Sequence, residues 1–475
     1  MSSGEEDVLL ISQTNTGNRQ FIPRLGAQII AINQSKSGSL YSVSLSNNKI
    51  KIINAADLEL KSEISGIQSQ LSQKPPQVHQ AVMLHPQRRH LYLSRTPGTI
   101  QSYDIQLDQE GLSLAVAPIT HIKQTGKEKR QVLEPSVTFV SMTSNGNWLA
   151  TVDEWSNPYA VEDVVTVDVC LKFWAWKGKQ WELVTKIQDP HEENRRLLGL
   201  ASPTDMSKEE FATLGAEGLV KIWRPLEGVY RSSREIIWSL CCTVGSTTSS
   251  IYSQGALIYS LDNSLLLMGI GNDIFIAAVA SSQIVRCLHM GQPISQLAVL
   301  GRHVLCLHDD SSLISAWDLA NGQVIFTDRI DRGYATIAVN HTTSTFALAS
   351  SSRSKSTIVI SRIEQSQIIE EGRISLNSTV TALLSSEPPT DVPEYISVDE
   401  SGNIVVISTE PVTGETAVDM PPTTTNTQVH TLSSGSKNTS ANQIKHVTID
   451  EINHVLRKGK LDLVDMYEAI VQRVS

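Results

Sequence analysis

The chain has 475 residues, of which 40 % are hydrophobic, 19 % charged and 5 % aromatic, a balance that allows a sizeable core and excludes a wholly disordered polymer. Lys and Arg total 39 against 49 Asp and Glu, so the formal charge of −10 excludes a protein that coats nucleic acid by bulk attraction and leaves only local basic patches. The five cysteines (Cys170, Cys241, Cys242, Cys287 and Cys306) are irregularly spaced, suggest neither a disulfide framework nor a zinc motif, and read as reduced core residues.

The first stretch, "MSSGEEDVLLISQ", is acidic and has no basic region ahead of a long apolar one, so export is not expected. The most apolar region, 256–280, is cut by Asp262, Asn263, Asn272 and Asp273. No uninterrupted run approaches the ~20 residues that span a bilayer, and a soluble intracellular chain is expected.

One pattern then recurs: a short apolar strand, a small polar turn, and an alternating strand that ends on a bulky residue. In "FATLGAEGLVKIWRPLEG" (211–228) and "LHDDSSLISAWDLANGQVI" (307–325), Trp223 and Trp317 occupy that final slot. In chain order the slot holds Ile53, Tyr103, Trp174, Trp223, Ala277, Trp317, Ser361 and Ile407, at intervals of 50, 71, 49, 54, 40, 44 and 46 residues. Those intervals lie near the ~40–45 residues of WD-type propeller blades. The long one contains "LDQEGLSLAVAPITHIKQTGKEKRQVLEPS", a polar stretch with room for a surface excursion.

The predicted fold is all-β: a WD40-like β-propeller of about seven blades, possibly with eight repeat units, over residues 1–411. Tyr103, Trp174, Trp223 and Trp317 are its expected blade anchors. "DVLLIS" (7–12) either completes the last blade, or one unit belongs to a partner propeller. The usual Gly-His signature is absent, and six positions before the slot only Asp168 is an aspartate; Asn47, Pro97, Glu217, Ser311 and Ser401 hold that place elsewhere. The buried hydrogen-bond network linked to that aspartate is therefore not expected in most blades.

Residues 412–447, rich in Thr, Ser, Pro, Asn and Gly, read as a flexible linker. Two short helices are predicted over 448–475, the first opened by a capping box from Thr448 to Glu451 and stopped near Gly459. Leu463, Tyr467, Ile470, Val471 and Val474 form an apolar stripe on the second, suited either to the propeller or to a groove on a partner.

The search for chemistry yields little. No phosphate loop or nucleophile elbow is present, and no catalytic, metal or cofactor site is predicted. His308, Asp309 and Asp310 fall where other copies have blade turns, so a structural role outweighs a reactive one. Two basic clusters could meet RNA phosphates or acidic protein surfaces: Arg88 and Arg89, with Arg95, His85 and His90 nearby, and Lys123, Lys127, Lys129 and Arg130 in the long excursion.

The "PRLG" that precedes "YSVSLSNNKIKII", together with divergent units such as "FATLGAEGLVKIWRP", resembles the WD repeat-containing protein 75 family. The resemblance covers residues 7 to about 411 and corresponds to the C-terminal half of tandem-propeller proteins. It implies a nucleolar, non-catalytic scaffold of the small-subunit processome, in its transcription-linked subcomplex. The implied partners are other WD-repeat subunits, U3 snoRNP and pre-rRNA, and the implied work is pre-18S rRNA processing with support of RNA polymerase I transcription. Scaffolding in a trafficking or ubiquitin-ligase complex is the alternative, and a propeller enzyme a more distant one.

Overall fold

The computed structural model describes residues 2–3, 8–12, 17–23, 25–67, 81–117, 135–157, 166–192, 195–230, 233–245, 251–308, 313–330, 334–352, 355–364, 367–386, 394–409 and 427–431. Every regular element among them is a β-strand. Two compact units divide the chain: Met1–Pro76, Tyr103–Gly111 and Thr431–Ser475 form one, Gln77–Ser102 and Leu112–His430 the other.

In the first unit, Ile29–Gln34, Leu40–Leu45, Lys49–Asn54 and Leu60–Ser65 make a sequential four-stranded sheet, and Ser2–Ser3, Leu9–Ser12 and Arg19–Ile22 a three-stranded one. Both contribute to one core, which holds Leu9, Leu25, Ile29, Val43, Leu45 and Ile53. Lys49 is pinned at 3.0 Å from Glu63 and 3.2 Å from Glu110.

Seven further four-stranded sheets follow, numbered here as blades 1 to 7. Their innermost strands are Val82–Leu84, Ser136–Met142, Leu197–Ala201, Gly255–Tyr259, Ile294–Leu300, Tyr334–Asn340 and Val380–Ser386. Each neighbours the next, and Val380–Ser386 returns to Val82–Leu84, so the seven close into a ring. Closure buries both faces of each blade, which an isolated sheet could not do. The seam between blades 7 and 1 carries an ion pair between Arg89 and Glu394. Elsewhere, Gln87 donates to the Ser144 carbonyl between blades 1 and 2 (3.0 Å), and Thr345 and Tyr395 share a 2.7 Å hydroxyl contact between blades 6 and 7.

All eight predicted slots lie on the third strand of a sheet. In six of them the pairing with the fourth strand shifts by one residue at the slot itself: between Ile52 and Ile53, Phe173 and Trp174, Ile222 and Trp223, Ile276 and Ala277, Ala316 and Trp317, and Ile360 and Ser361. The repeat seen in sequence is thus the register mark of a recurring β-bulge, a device that adds local twist.

Seven blades in the ring and an eighth repeat unit, Ile29–Ser65, account for the eight slots. The ring begins at Val82, however, whereas the sequence reading starts the propeller at residue 1; Ile29–Ser65 belongs to the other unit. The fourth strand of blade 7 is Thr427–Thr431, which lies inside the segment read from composition as a linker. The predicted helices of 448–475 lie outside the described residues, as do Lys123, Lys127, Lys129, Arg130, Asp309 and Asp310.

Candidate interaction surfaces and the networks beneath them

Tryptophan in the slot brings an indole N–H that needs an acceptor once buried. Trp174 Nε1 donates to Thr151 Oγ1 at 2.9 Å, Trp223 Nε1 to Thr213 Oγ1 at 2.9 Å, and Trp317 Nε1 to Ser315 Oγ at 3.1 Å. In the first two, the acceptor stands two residues beyond the residue paired with the tryptophan: Leu149 pairs with Trp174, and Phe211 with Trp223. The same position holds Cys306 in blade 5, where Ser315 on the tryptophan's own strand takes over. It holds Val43 and Met268 where the slot is Ile53 or Ala277 and has no side-chain N–H to satisfy. Tyr103, the fourth anchor, is buried and hydrogen-bonds Asp108.

In blade 3 the hydroxyl extends into a longer network. His191 Nε2 lies 2.9 Å from Thr213 Oγ1, and His191 Nδ1 meets Glu217. All four side chains of this chain from Trp223 to Glu217 are buried. A Cβ at Gly215 would overlap both the carboxylate and the imidazole, so glycine there is a matter of close approach. Glutamate therefore does at this position what the sequence reading assigned to an absent aspartate. His191, in "QDPHEEN", was missed because nothing in that stretch marks it locally; its signal is Glu217 at the turn offset.

Burial pushes the Glu217 carboxyl up, but the hydrogen bond and charge of His191 outweigh it, and the net lies below the ordinary 4.5. A depressed carboxyl contributes stability that is present above its unfolded value and lost as pH falls through the folded one. Glu217→Gln should therefore cost on the order of 1–3 kcal/mol at neutral pH, with the gap from the parent narrowing below about pH 4.5. Urea denaturation of both proteins across pH 3.5–7 measures this; a pH-independent gap would assign the loss to packing.

His308 is buried, with Nε2 2.7 Å from Ser315 Oγ, on the hydroxyl that also accepts from Trp317. Burial pushes its pKa below the ordinary histidine value. The imidazole is thereby tied into the hydroxyl network beneath Trp317. Among the described residues, no group of three or more His, Cys, Asp or Glu side chains is placed to hold a metal ion.

The five cysteines divide. Cys170 and Cys306 are buried, and burial pushes their thiols up to about 11 and about 12. Cys241 and Cys287 are exposed, which corrects the reading of all five as core. They lie on the outermost strands Ser233–Val244 and Gln283–His289, where alternate residues face solvent.

The structure separates the first basic cluster. Arg89 is committed to Glu394 across the closing seam, whereas Arg88 is exposed. Arg88 lines a cavity of about 180 Å³ between blades 1 and 2, with His85, Tyr92, Asn147, Trp176 and Trp181 among the other walls. Burial, then the charges of Arg88 and His90, lower His85 to about 4, so its ring is neutral in the cell. His85 Nδ1 accepts the Gln87 backbone N–H at 3.1 Å, which leaves the ring proton on Nε2.

A second surface is apolar. Leu226, Ile236, Ile237 and Leu240 lie between 42 % and 58 % exposed on the hairpin of Val220–Tyr230 and Ser233–Val244 in blade 3. Leu226 pairs with Ile237, so these two share one face of the hairpin, while Ile236 and Leu240 alternate to the other.

A closed ring of seven four-stranded blades, with hydroxyl-anchored tryptophans on their third strands, defines a WD-type β-propeller. The family model for the WD repeat-containing protein 75 second beta-propeller matches residues 82–387, more than half of the chain, and its first residue is the first strand residue of blade 1. The chain belongs to the WD repeat-containing protein 75 family.

Among its relatives, U3 small nucleolar RNA-associated protein 17 of Schizosaccharomyces pombe is 27 % identical, over 57 % of this chain and 37 % of that protein. WD repeat-containing protein 75 of Homo sapiens is 29 % identical over 56 % of this chain and 30 % of its own length. The Xenopus laevis protein of that name is 32 % identical, over 52 % and 28 %. The chain therefore spans about a third of the length of these relatives.

Proposed function

We propose that the chain is a non-catalytic scaffold subunit of the small-subunit processome in the nucleolus. In this role it holds other WD-repeat subunits of the transcription-linked subcomplex, acts with U3 snoRNP and pre-rRNA in pre-18S processing, and supports RNA polymerase I transcription. The observation that carries the reading is the family match over the ring from its first blade, joined to a relative named for association with U3 small nucleolar RNA. The apolar side chains exposed on the blade 3 hairpin offer one surface for such contacts, and the apolar stripe that the sequence predicts over Leu463, Tyr467, Ile470, Val471 and Val474 would offer a second.

Affinity purification of the tagged chain, read by mass spectrometry and RNA sequencing, tests this. Enrichment of processome subunits, U3 and pre-rRNA is expected; enrichment of coat or ubiquitin-ligase subunits instead would overturn it. Removing residues 448–475 should reduce that recovery severalfold while the propeller's melting temperature stays within about 2 °C, since a docking tail adds little to the ring's own core. A large drop in melting temperature would place the tail on the propeller.

A further inference from the structure

We propose that the cavity between blades 1 and 2 binds one unpaired pyrimidine of single-stranded RNA and prefers uracil. The proposal rests on the processome reading only in supposing that RNA is within reach. Its volume of about 180 Å³ compares with the ~150 Å³ that admits a benzene ring, which suits one six-membered ring with its substituents.

The walls combine planar rings with hydrogen-bond donors. Trp176 and Trp181 stand with ring centroids 5.1 Å apart, and Tyr92 lies 6.5 Å from Trp181. The exposed lining is mainly polar, so hydrogen-bond donors more than ring faces would hold a base there. Arg88 presents an exposed guanidinium at the cavity, in no ion pair among the described residues and so placed to meet a phosphate. His85 Nε2 carries its proton, because Nδ1 is occupied by the Gln87 N–H.

A second observation points to a ligand. Trp181 is only 8 % exposed, and its Nε1 donor makes no hydrogen bond of full geometry among the described residues, with only a weak one to the neighbouring Tyr92. A buried donor of this kind is uncommon in folded proteins and is satisfied by an entering acceptor. The cavity is thus richer in donors than in acceptors, with the Asn147 amide able to serve as either. Uracil offers two ring carbonyls, whereas cytosine offers one and adenine none. Arg88 disfavours a cationic side chain as the occupant, although an acidic peptide would satisfy its charge.

The test uses the purified full chain, with tryptophan fluorescence as readout, titrated with tetranucleotides of U, C, A or G and with a tetraglutamate peptide. Saturable quenching by the U tetranucleotide is expected, with A weaker by on the order of tenfold. Arg88→Glu should weaken U binding by on the order of tenfold without changing the melting temperature, and Arg88→Lys should restore part of it. Absence of quenching, equal binding of U and A, indifference to Arg88→Glu, or tighter binding of the peptide would each overturn the proposal. Recovery of U3 and processome subunits by the same chain is scored separately. Recovery without oligonucleotide binding sinks the pocket alone, and binding without recovery sinks the scaffold reading alone.

Discussion

Trp238→Ala should lower the unfolding free energy by about 3–5 kcal/mol, measured by urea denaturation at neutral pH. Trp238 is 2 % exposed and stacks on Phe173 at 4.5 Å and 7°. Trp148 meets it edge-on at 5.3 Å, and Phe211 lies tilted against it at 5.1 Å. Trp148 and Phe173 come from blade 2, whereas Phe211 and Trp238 come from blade 3, so the indole fills the space between two sheets. Its backbone N–H donates to Thr185 Oγ1 of blade 2 at 3.0 Å, a bond that the alanine variant keeps. Truncation would leave a void ringed by aromatic side chains that cannot collapse into it without breaking strand pairing. Trp238→Phe should recover most of the loss, because it keeps a stacked ring and removes an indole N–H that has no acceptor among the described residues. A loss below about 1 kcal/mol in the alanine variant would mean that blades 2 and 3 repack freely.

Trp238 also shows where sequence reading stops. The slots at Trp174, Trp223 and Trp317 were legible because they repeat, and they repeat because each marks the bulge between third and fourth strands. Trp238 sits on the fourth strand of blade 3, and its counterpart by strand pairing, Trp181 of blade 2, stands at a different distance in sequence from its own slot, so the two give no period. The hydroxyl partners Thr151 and Thr213 depend on cross-strand register, which alternation alone does not reveal. His191 lies 22 residues ahead of Thr213 in sequence and reaches it only through the fold.

The ring boundary was hidden for a different reason. A blade has the same alternation whichever neighbours it stacks against, so Ile29–Ser65 reads like blades 1 to 7 although it belongs to another unit. For the candidate surface, the cluster at Arg88 and Arg89 was visible as charge. What was not visible is that Glu394, 305 residues away, claims Arg89 and leaves Arg88 to the cavity.

Lys172→Met should cost about 3–5 kcal/mol at pH 7, as expected when one member of a buried ion pair is removed. Lys172 Nζ lies 2.7 Å from Asp153 Oδ1 and 2.7 Å from the Val116 carbonyl, and the two side chains are 8 % and 1 % exposed. The ammonium thus ties blade 2 to the segment after blade 1 while neutralising a carboxylate that water cannot reach. Burial raises Asp153 above the ordinary 3.8, and Lys172, acting in the opposite direction, does not cancel it. A carboxyl raised on folding contributes stability that is fully present below its unfolded value and lost as pH rises through the folded one. Without Lys172 the folded value rises further, so the penalty of ionising Asp153 grows over a wider range. The gap between variant and parent should therefore widen from pH 4 to pH 7. Lys172→Met combined with Asp153→Leu removes both charges and should restore most of the neutral-pH loss, leaving about 1–3 kcal/mol for the Val116 carbonyl that has lost its donor. A double variant no more stable than Lys172→Met, with a gap that ignores pH, would mean that lysine's stem, not its charge, holds the seam.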